Sequence, residues 1–215
     1  MLLKELINED TSICESPQRI HPLKLYRLEN PRENEKIARK VLRWTPDAEL
    51  IETTATGIKL YRQTHGVETE IYGVDEEESR IAYYVRYEVQ HSSFVDVEWT
   101  TQVLVWRGGT SGPKTKGLAE HVFFTYVLPV HGVVTSDGEQ TPEGERFWKL
   151  RVPDAFANPT KYKVYIVDFN SRTVTRLKTK RDYENLLNTK NDPWGDTAWH
   201  RGIRLVISEF DLIHE

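Results

Sequence analysis

The spacing of apolar residues changes near residue 49 of the chain. Before that point, apolar residues recur at helical spacing between 37 and 44, after the pair Asn30-Pro31, which suits a helix cap and a first helical turn. After it, residues 57–62 alternate apolar with polar, as a half-buried strand does. The pattern predicts one early helix followed by a region rich in strands.

Further strands are predicted on both sides of this change. Residues 70–74 and 79–88 flank the acidic run 75–78, which indicates an antiparallel hairpin with a solvated, charged tip. The last predicted strand alternates Ile203, Leu205 and Ile207 with other residues. The remaining strand patterns cover 20–28, 95–106, 131–137, 161–168 and 173–177.

Three later segments favour helices. Leu118, Val122 and Tyr126 form one apolar stripe over 118–128, and Pro129 is expected to end that helix. Thr141 is a cap for a helix over 141–150, and 181–187 suits a short helix. We expect an α/β (α+β) fold whose mostly antiparallel mixed sheet has six or seven strands, with helices on both faces. A flexible arm is expected over 1–18 and a single domain over 19–215, since 215 residues suit one core.

Composition narrows the classes of function. The net charge of −4 gives no reason to expect nucleic-acid or membrane binding. The single cysteine, Cys14, excludes an intramolecular disulfide and a cysteine-based zinc cluster, and the histidines form no close metal pair. With no long apolar run and no signal-peptide pattern, a cytoplasmic location is expected.

The segment with the clearest chemical pattern joins the strand over 95–106 to the helix over 118–128. Its loop, 108–117, contains glycines at 108, 109, 112 and 117 and is accompanied by the cations Arg107, Lys114 and Lys116. Unpaired backbone N–H groups and the positive end of the helix dipole would favour phosphate at such a place. The alternative is a surface loop of ordinary composition, since a glycine-rich loop alone is weak evidence.

The order of these elements resembles the acyl-CoA-binding core of the GCN5-related N-acetyltransferase (GNAT) family. Lys114-Thr-Lys-Gly117-Leu-Ala119 is similar to the family's Arg/Gln-x-x-Gly-x-Gly/Ala signature at the start of its central helix, with lysine in the first position and a longer loop before it. The run from Ser136 to Trp148 resembles an acetyltransferase-like group common in bacteriophage and plasmid genomes. The resemblance spans roughly residues 20–210, with specific residues between 101 and 150.

The resemblance implies a fold, a co-substrate and a site. The fold would be the GNAT-like acyl-CoA N-acyltransferase fold, and acetyl-CoA would be the co-substrate, with no metal. Its pantetheine arm would pair with the main chain of the strand before the loop, like an added strand. The implied cofactor-binding residues are Gln102, Val103, Leu104, Val105, Arg107, Gly112, Lys114, Lys116, Gly117 and Ala119.

Direct transfer to an amine also needs a base. The candidates are Glu98 and Asp96, expected to share one face of their strand by alternation, and Asp137 at the end of the next strand. The alternative for each is a solvated surface carboxylate, and Asp137 has a further alternative as an acceptor for backbone amides of its turn. Where the family often has a tyrosine acid, this chain has Phe147 and Trp148, and Tyr162 or Tyr165 would have to substitute.

Two hypotheses for function follow. The first is an acyltransferase that moves an acetyl group from acetyl-CoA to an amine acceptor, a small molecule or a protein, by direct attack in a ternary complex. The second is a catalytically silent GNAT-like phage protein that binds a host or virion protein in the host cytoplasm. The aromatic and cationic residues Trp194, Trp199, His200 and Arg201 suit either sheet packing or the contact with such a partner.

Overall fold

The computed structural model describes residues 27–43, 48–108, 112–138, 142–195 and 197–213, but not the side chains of 102–104 and 143. This part of the chain has an α+β architecture in which helices accompany a mixed, mostly antiparallel sheet of nine strands. The chain divides into two compact units, Met1–Glu88 with Val103–Ala119, and Val89–Gln102 with Glu120–Glu215.

The strands are β1 (Glu49–Thr53), β2 (Ile58–His65), β3 (Glu68–Asp75), β4 (Arg80–Ser92), β5 (Val97–Arg107), β6 (Val133–Thr135), β7 (Lys163–Asp168), β8 (Thr173–Leu177) and β9 (Ile203–Ser208). The helices are α1 (Pro31–Arg43), α2 (Leu118–Val122), a π-helical segment (Phe123–Val127), α3 (Leu128–His131), α4 (Pro142–Ala157) and α5 (Lys180–Leu186). A 3₁₀ turn, His200–Gly202, precedes β9.

The first unit is a meander of antiparallel strands packed on α1. Its strand order is β1-β2-β3-β4-β5, and β1 to β4 pair antiparallel in sequence. The apolar stripe of α1, including Ala38 and Val41, packs on Tyr72, Val74 and Tyr84. This confirms the helix and the hairpin that the apolar spacing predicted.

The second unit combines a parallel pair with antiparallel strands. β5 pairs parallel with β6, and β9 lies between β6 and β7, antiparallel to both. β8 completes this part of the sheet beside β7. One core cluster buries Trp99, Val133, Tyr165, Val167 and Val206.

The strand number was underestimated, because nine strands occur where six or seven were expected. β1 and β8 carry mostly exposed or half-buried residues. Backbone hydrogen bonds hold β1 at the sheet, so its weak apolar pattern concealed it, whereas β8 was predicted over 173–177.

The helix after the glycine loop also differs from its prediction. Pro129 does not end it, because helical structure continues through a π-helical segment into α3. Pro129 lies in the first turn of α3, where a proline's missing N–H costs little. The helix ends instead at Gly132, whose φ of 72° is a left-handed conformation that glycine adopts readily.

Other predicted segments have mixed outcomes. Most of the strand over 20–28, the arm over 1–18 and the cap Thr141 lie outside the described residues, although Arg27, Leu28 and Glu29 are helical. The acidic tip is only partly solvated, because Asp75 is buried while residues 76–78 are exposed. α4 continues past residue 150, through Pro153, to Ala157.

Candidate functional site

The glycine-rich loop forms turns before α2 begins. Residues 109–111 lie outside the described residues. Of the glycines that follow them, Gly112 and Gly117 are exposed. Gly117 has a φ of 77°, so the loop needs glycine's conformational freedom here. The backbone N–H of Leu118 donates to the carbonyl of Thr115 at 3.1 Å, which closes the last turn of the loop.

Lys114 is held by acidic residues of the same unit. Its Nζ lies 3.0 Å from Asp75 Oδ2 and 2.7 Å from Glu77 Oε2. These hydrogen bonds, to Glu77 and then to Asp75, raise the pKa of Lys114. The hydroxyl of Thr56 donates to the carbonyl of Lys114 at 2.8 Å. The loop is therefore anchored to two turns of the sheet, and the charge of Lys114 is balanced by two carboxylates.

A groove of about 590 Å³ lies in the first unit at the end of β5. Its cationic and aromatic lining residues are Arg80, Trp106 and Arg107, next to Gly108. The first turn of α1 also lines the groove. Three glutamates from different segments, Glu29, Glu35 and Glu78, complete the lining. The groove thus offers the Arg107 guanidinium and a helix N-terminus in a surrounding of mixed charge, which suits a ligand with both anionic and hydrogen-donating groups.

The sequence indicated Arg107 but missed the other half of this groove. Arg80 follows the acidic tip, and the first turn of α1 lies far from it along the chain. Asn34 brings the two together, since its side chain hydrogen-bonds the backbone of Leu28 and Ile81. No local pattern of residue types could have revealed that contact.

The predicted pantetheine edge lies on β5. Gln102, Val103, Leu104 and Val105 all have strand backbone there. The register between β5 and β6 pairs Thr100 with Val134 and Thr101 with Thr135, where β6 ends. β5 itself continues to Arg107, so its main chain extends beyond the end of β6.

The remaining predicted cofactor residues differ in exposure. Arg107 and Lys116 are exposed, whereas Ala119, in α2, is half-buried. Both cations can meet an anion that approaches from solvent. Lys114, in contrast, is one-third exposed and already paired.

The three candidate bases are in different environments. Glu98 lies on β5 and is exposed. Asp96 precedes the strand, in a turn with a φ of 54°, so the expectation that it shares a strand face with Glu98 is wrong. Aspartate tolerates that left-handed conformation better than most residues. Its side chain is 94% exposed and lies 3.7 Å from Nε2 of His91.

Asp137 follows β6 and is half-buried near Arg204. Burial lowers the pKa of Arg204, while the negative charge of Asp137 raises it. The Arg204 guanidinium lies against Gly138, where an added Cβ would be 2.5 Å from Nη2. This arrangement gives Asp137 a cationic neighbour.

The aromatic residues near the expected general-acid position, and the two tyrosines that could substitute for the acid, all have structural contacts. Trp148 is buried and packs edge-on to Phe123, with centroids 5.8 Å apart. Tyr162 packs on Phe124 at 5.0 Å. The hydroxyl of Tyr165 donates to Asp211 at 3.0 Å, and burial raises its pKa. Each aromatic residue therefore has a packing role.

The two tryptophans of the predicted aromatic and cationic patch differ in their contacts and exposure. Trp194 donates its indole N–H to the hydroxyl of Tyr183 at 3.1 Å, so it is held by packing. Trp199 is 42% exposed, with the Lys190 ammonium 5.6 Å from its ring centroid. Of the two tryptophans, Trp199 is the one with surface to offer a partner.

Comparisons with known proteins add no assignment: no protein-family model matches the chain, and no curated protein matches it. Among the described residues, no helix is long and apolar enough to cross a membrane.

Proposed function

We propose that the protein is an N-acyltransferase with a GNAT-like fold that moves an acetyl group from acetyl-CoA to an amine. The observation that carries the proposal is the short parallel pairing of β5 with β6, which stops at Thr101 while β5 continues to Arg107. Main-chain groups beyond the paired positions can accept an amide-containing arm as a further strand would. The position of β9 between β6 and β7 supports the same fold.

The residues have separate roles in this proposal. Arg107 and Lys116, with the backbone around Gly112 and Gly117, bind the phosphates of the co-substrate. Main-chain groups of residues 102–105 bind the pantetheine arm. Glu98 takes a proton from the attacking ammonium, directly or through water. The amine nitrogen then attacks the thioester carbon, the C–N bond forms, the C–S bond breaks, and the thiolate leaves and takes up a proton.

Binding of the co-substrate is the first test. Acetyl-CoA at about 100 times its dissociation constant should stabilise the folded protein by roughly 2.7 kcal/mol, and ATP should do so less because it lacks the pantetheine arm. Thermal unfolding with acetyl-CoA, CoA and ATP measures this. If neither acetyl-CoA nor CoA raises the melting temperature at millimolar concentration, the proposal is wrong.

A charge reversal locates the phosphates. Arg107→Glu should weaken acetyl-CoA binding at least about tenfold, because it removes a donor and adds repulsion. Arg146→Glu makes the same change at an exposed position of α4 and should leave binding unchanged. Equal affinities in the two variants, measured by calorimetry, would remove Arg107 from the site.

The second candidate function is recognition of a host or virion protein without turnover. The pairing of Lys114 with Asp75 and Glu77 favours it, since that lysine is then not available to a phosphate. Absence of acetyl-CoA binding and of transfer to any amine, together with stoichiometric binding of one host protein, would support it. A cytoplasmic location is part of both proposals.

A further inference from the structure

The groove at the end of β5 has room for a small molecule. Its volume of about 590 Å³ falls within the range of ligand-binding cavities in proteins, roughly 300–1,000 Å³. All of its lining residues belong to the first unit, so a ligand there would contact one compact body. The chemistry of the lining therefore indicates which class of ligand the groove can hold.

Trp106 contributes an indole ring to this lining. The residue is half-buried, because it packs against the core cluster that includes Tyr72, Val74 and Tyr84, and it also lines the groove. The core thus holds the indole in place before a ligand arrives, and a ring that is already held loses little conformational entropy on binding. A planar heterocycle such as a nucleobase stacks well on an aromatic side chain of this kind.

Arg107 is the cation that can meet an anionic group of a ligand. It is exposed and lines the groove, whereas the other arginine of the lining, Arg80, has an interaction of its own within the protein. At the first turn of α1, the side chain of Asn30 accepts from the N–H groups of Arg32 and Glu33 at 3.0 Å and 3.3 Å, so this helix end is already capped. An anion should therefore bind Arg107, since a guanidinium pairs with two phosphate oxygens.

Glutamates supply hydrogen-bond acceptors in the same groove. Glu29, before α1, and Glu78, in the turn between β3 and β4, are exposed residues of the lining. Glu35, the third glutamate, pairs with Arg39. Carboxylates repel a ligand that is anionic throughout, but they accept hydrogen bonds from hydroxyl and amino groups. A ligand for this groove should therefore have one anionic end and several neutral donors.

We propose that this groove binds a free purine nucleotide, with its base on Trp106, its phosphate on Arg107, and its ribose hydroxyls or exocyclic amine donating to the two exposed glutamates. Inorganic phosphate would use only the arginine, and a nucleoside would leave the arginine unused. A purine also offers more ring area for stacking than a pyrimidine does. Binding of the nucleotide does not depend on acyl transfer, whereas its competition with acetyl-CoA for Arg107 would rest on the proposed function.

The test is binding of AMP and GMP to the full chain in the absence of any CoA compound, measured by calorimetry. At least one of them should bind. Its nucleoside, which lacks the phosphate, and ribose 5-phosphate, which lacks the base, should each bind at least about tenfold more weakly. No binding of AMP or GMP at millimolar concentration, or binding of either fragment as tight as that of the nucleotide, would overturn the proposal.

The nucleotide end of CoA has the same chemistry as a free nucleotide, so CoA is titrated separately. If CoA binds and its affinity depends on Trp106 while neither AMP nor GMP binds, the groove serves CoA alone and this proposal is wrong, although the acyltransferase proposal stands. If AMP or GMP binds and neither CoA nor acetyl-CoA does, the acyltransferase proposal fails and this one stands.

A variant of the indole tests the stacking contact. Trp106→Leu removes the ring and should weaken nucleotide binding at least about tenfold. Trp199→Leu is the matched control, because Trp199 is 42% exposed and belongs to the second unit. The control should bind the nucleotide as the wild type does, and equal losses in the two variants would refute the contact with Trp106.

Arg107→Gln keeps the proposal testable if Trp106→Leu does not fold. Arg107 is exposed, so the fold should survive, and loss of the charge should weaken nucleotide binding at least about tenfold. Binding of the nucleoside should not change, because it has no phosphate, whereas a distorted groove would weaken both. Arg146→Gln, at an exposed position of α4, is the control. Wild-type nucleotide affinity in a folded Arg107→Gln protein would overturn the proposal.

Discussion

Asn34 gives a direct test of how the first unit is held together. Its buried side chain donates to the carbonyls of Leu28 at 2.8 Å and Ile81 at 3.0 Å, and it accepts from the N–H of Ile81 at 2.6 Å. The residue thus joins α1 to the start of β4. Asn34→Ala removes three hydrogen bonds and leaves three backbone groups without these partners.

The cost follows from those groups. A hydrogen bond contributes a net 0.5–1.5 kcal/mol, on the order of 1 kcal/mol each, so we expect a loss of about 3 kcal/mol. The better helix propensity of alanine offsets only about 0.6 kcal/mol of this. For a chain of this size, such a loss lowers the melting temperature by about 10 °C.

Two measurements check this expectation. Urea denaturation gives the free energy of unfolding, and hydrogen exchange should show faster exchange at the amide of Ile81. Asn188→Ala is the matched control, since Asn188 is exposed and its amide makes one bond, to the carbonyl of Glu184 at 2.9 Å. The control should change stability by less than about 0.5 kcal/mol. A loss in Asn34→Ala no larger than in the control would refute the reasoning.

Three further outcomes are expected. Gly73→Ala should lower stability in urea by about 1–3 kcal/mol, because the added Cβ would be 2.9 Å from Tyr83 Cβ, while Gly112→Ala, in open space, should cost less. Hydrogen bonds from Thr179 lower the pKa of Asp182, so its stabilisation of α5 should be present above the ordinary aspartate pKa and be lost as pH falls through the lowered value. Acid titration followed by circular dichroism should show that step, and its persistence in Asp182→Asn would contradict the assignment. Glu98→Gln should keep acetyl-CoA affinity and lower turnover by roughly 10² to 10⁴, with a smaller loss at high pH where the amine deprotonates unaided; an unchanged rate would exclude Glu98 as the base.

The sequence predicted the elements whose apolar spacing is local and regular. α1 has an apolar stripe with a period of 3.6, and the sequence of β9 alternates Ile203, Leu205 and Ile207 with other residues. The β3–β4 hairpin was recognised from two apolar runs that flank an acidic run, and both of its strands are buried at most positions. β1 was not predicted, because backbone pairing rather than burial holds it at the sheet. The π-helical segment was also hidden, since its residues fit an ordinary α-helix pattern.

The candidate site shows a different limit. The sequence pattern predicts a strand from residue 95, whereas β5 begins at Val97. Asp96 therefore lies in the turn before the strand and does not share a face with Glu98.

In the proposed acyltransferase, the ion pairs of the glycine loop determine which of its cations can contact the phosphates of acetyl-CoA. A lysine among glycines has the same sequence pattern whether it faces a phosphate or a carboxylate, and its partner Asp75 lies 39 residues earlier. If Lys114 bound a phosphate instead, the Asp75 carboxylate, which is 2% exposed, would lose its cationic partner. A buried charge without a partner lowers the stability of the folded protein. Arg107 and Lys116 are exposed, so phosphate binding by them carries no such cost. The phosphates should therefore contact these two cations while Lys114 keeps the loop in place, which is why Arg107→Glu, rather than a change at Lys114, separates loss of binding from loss of structure.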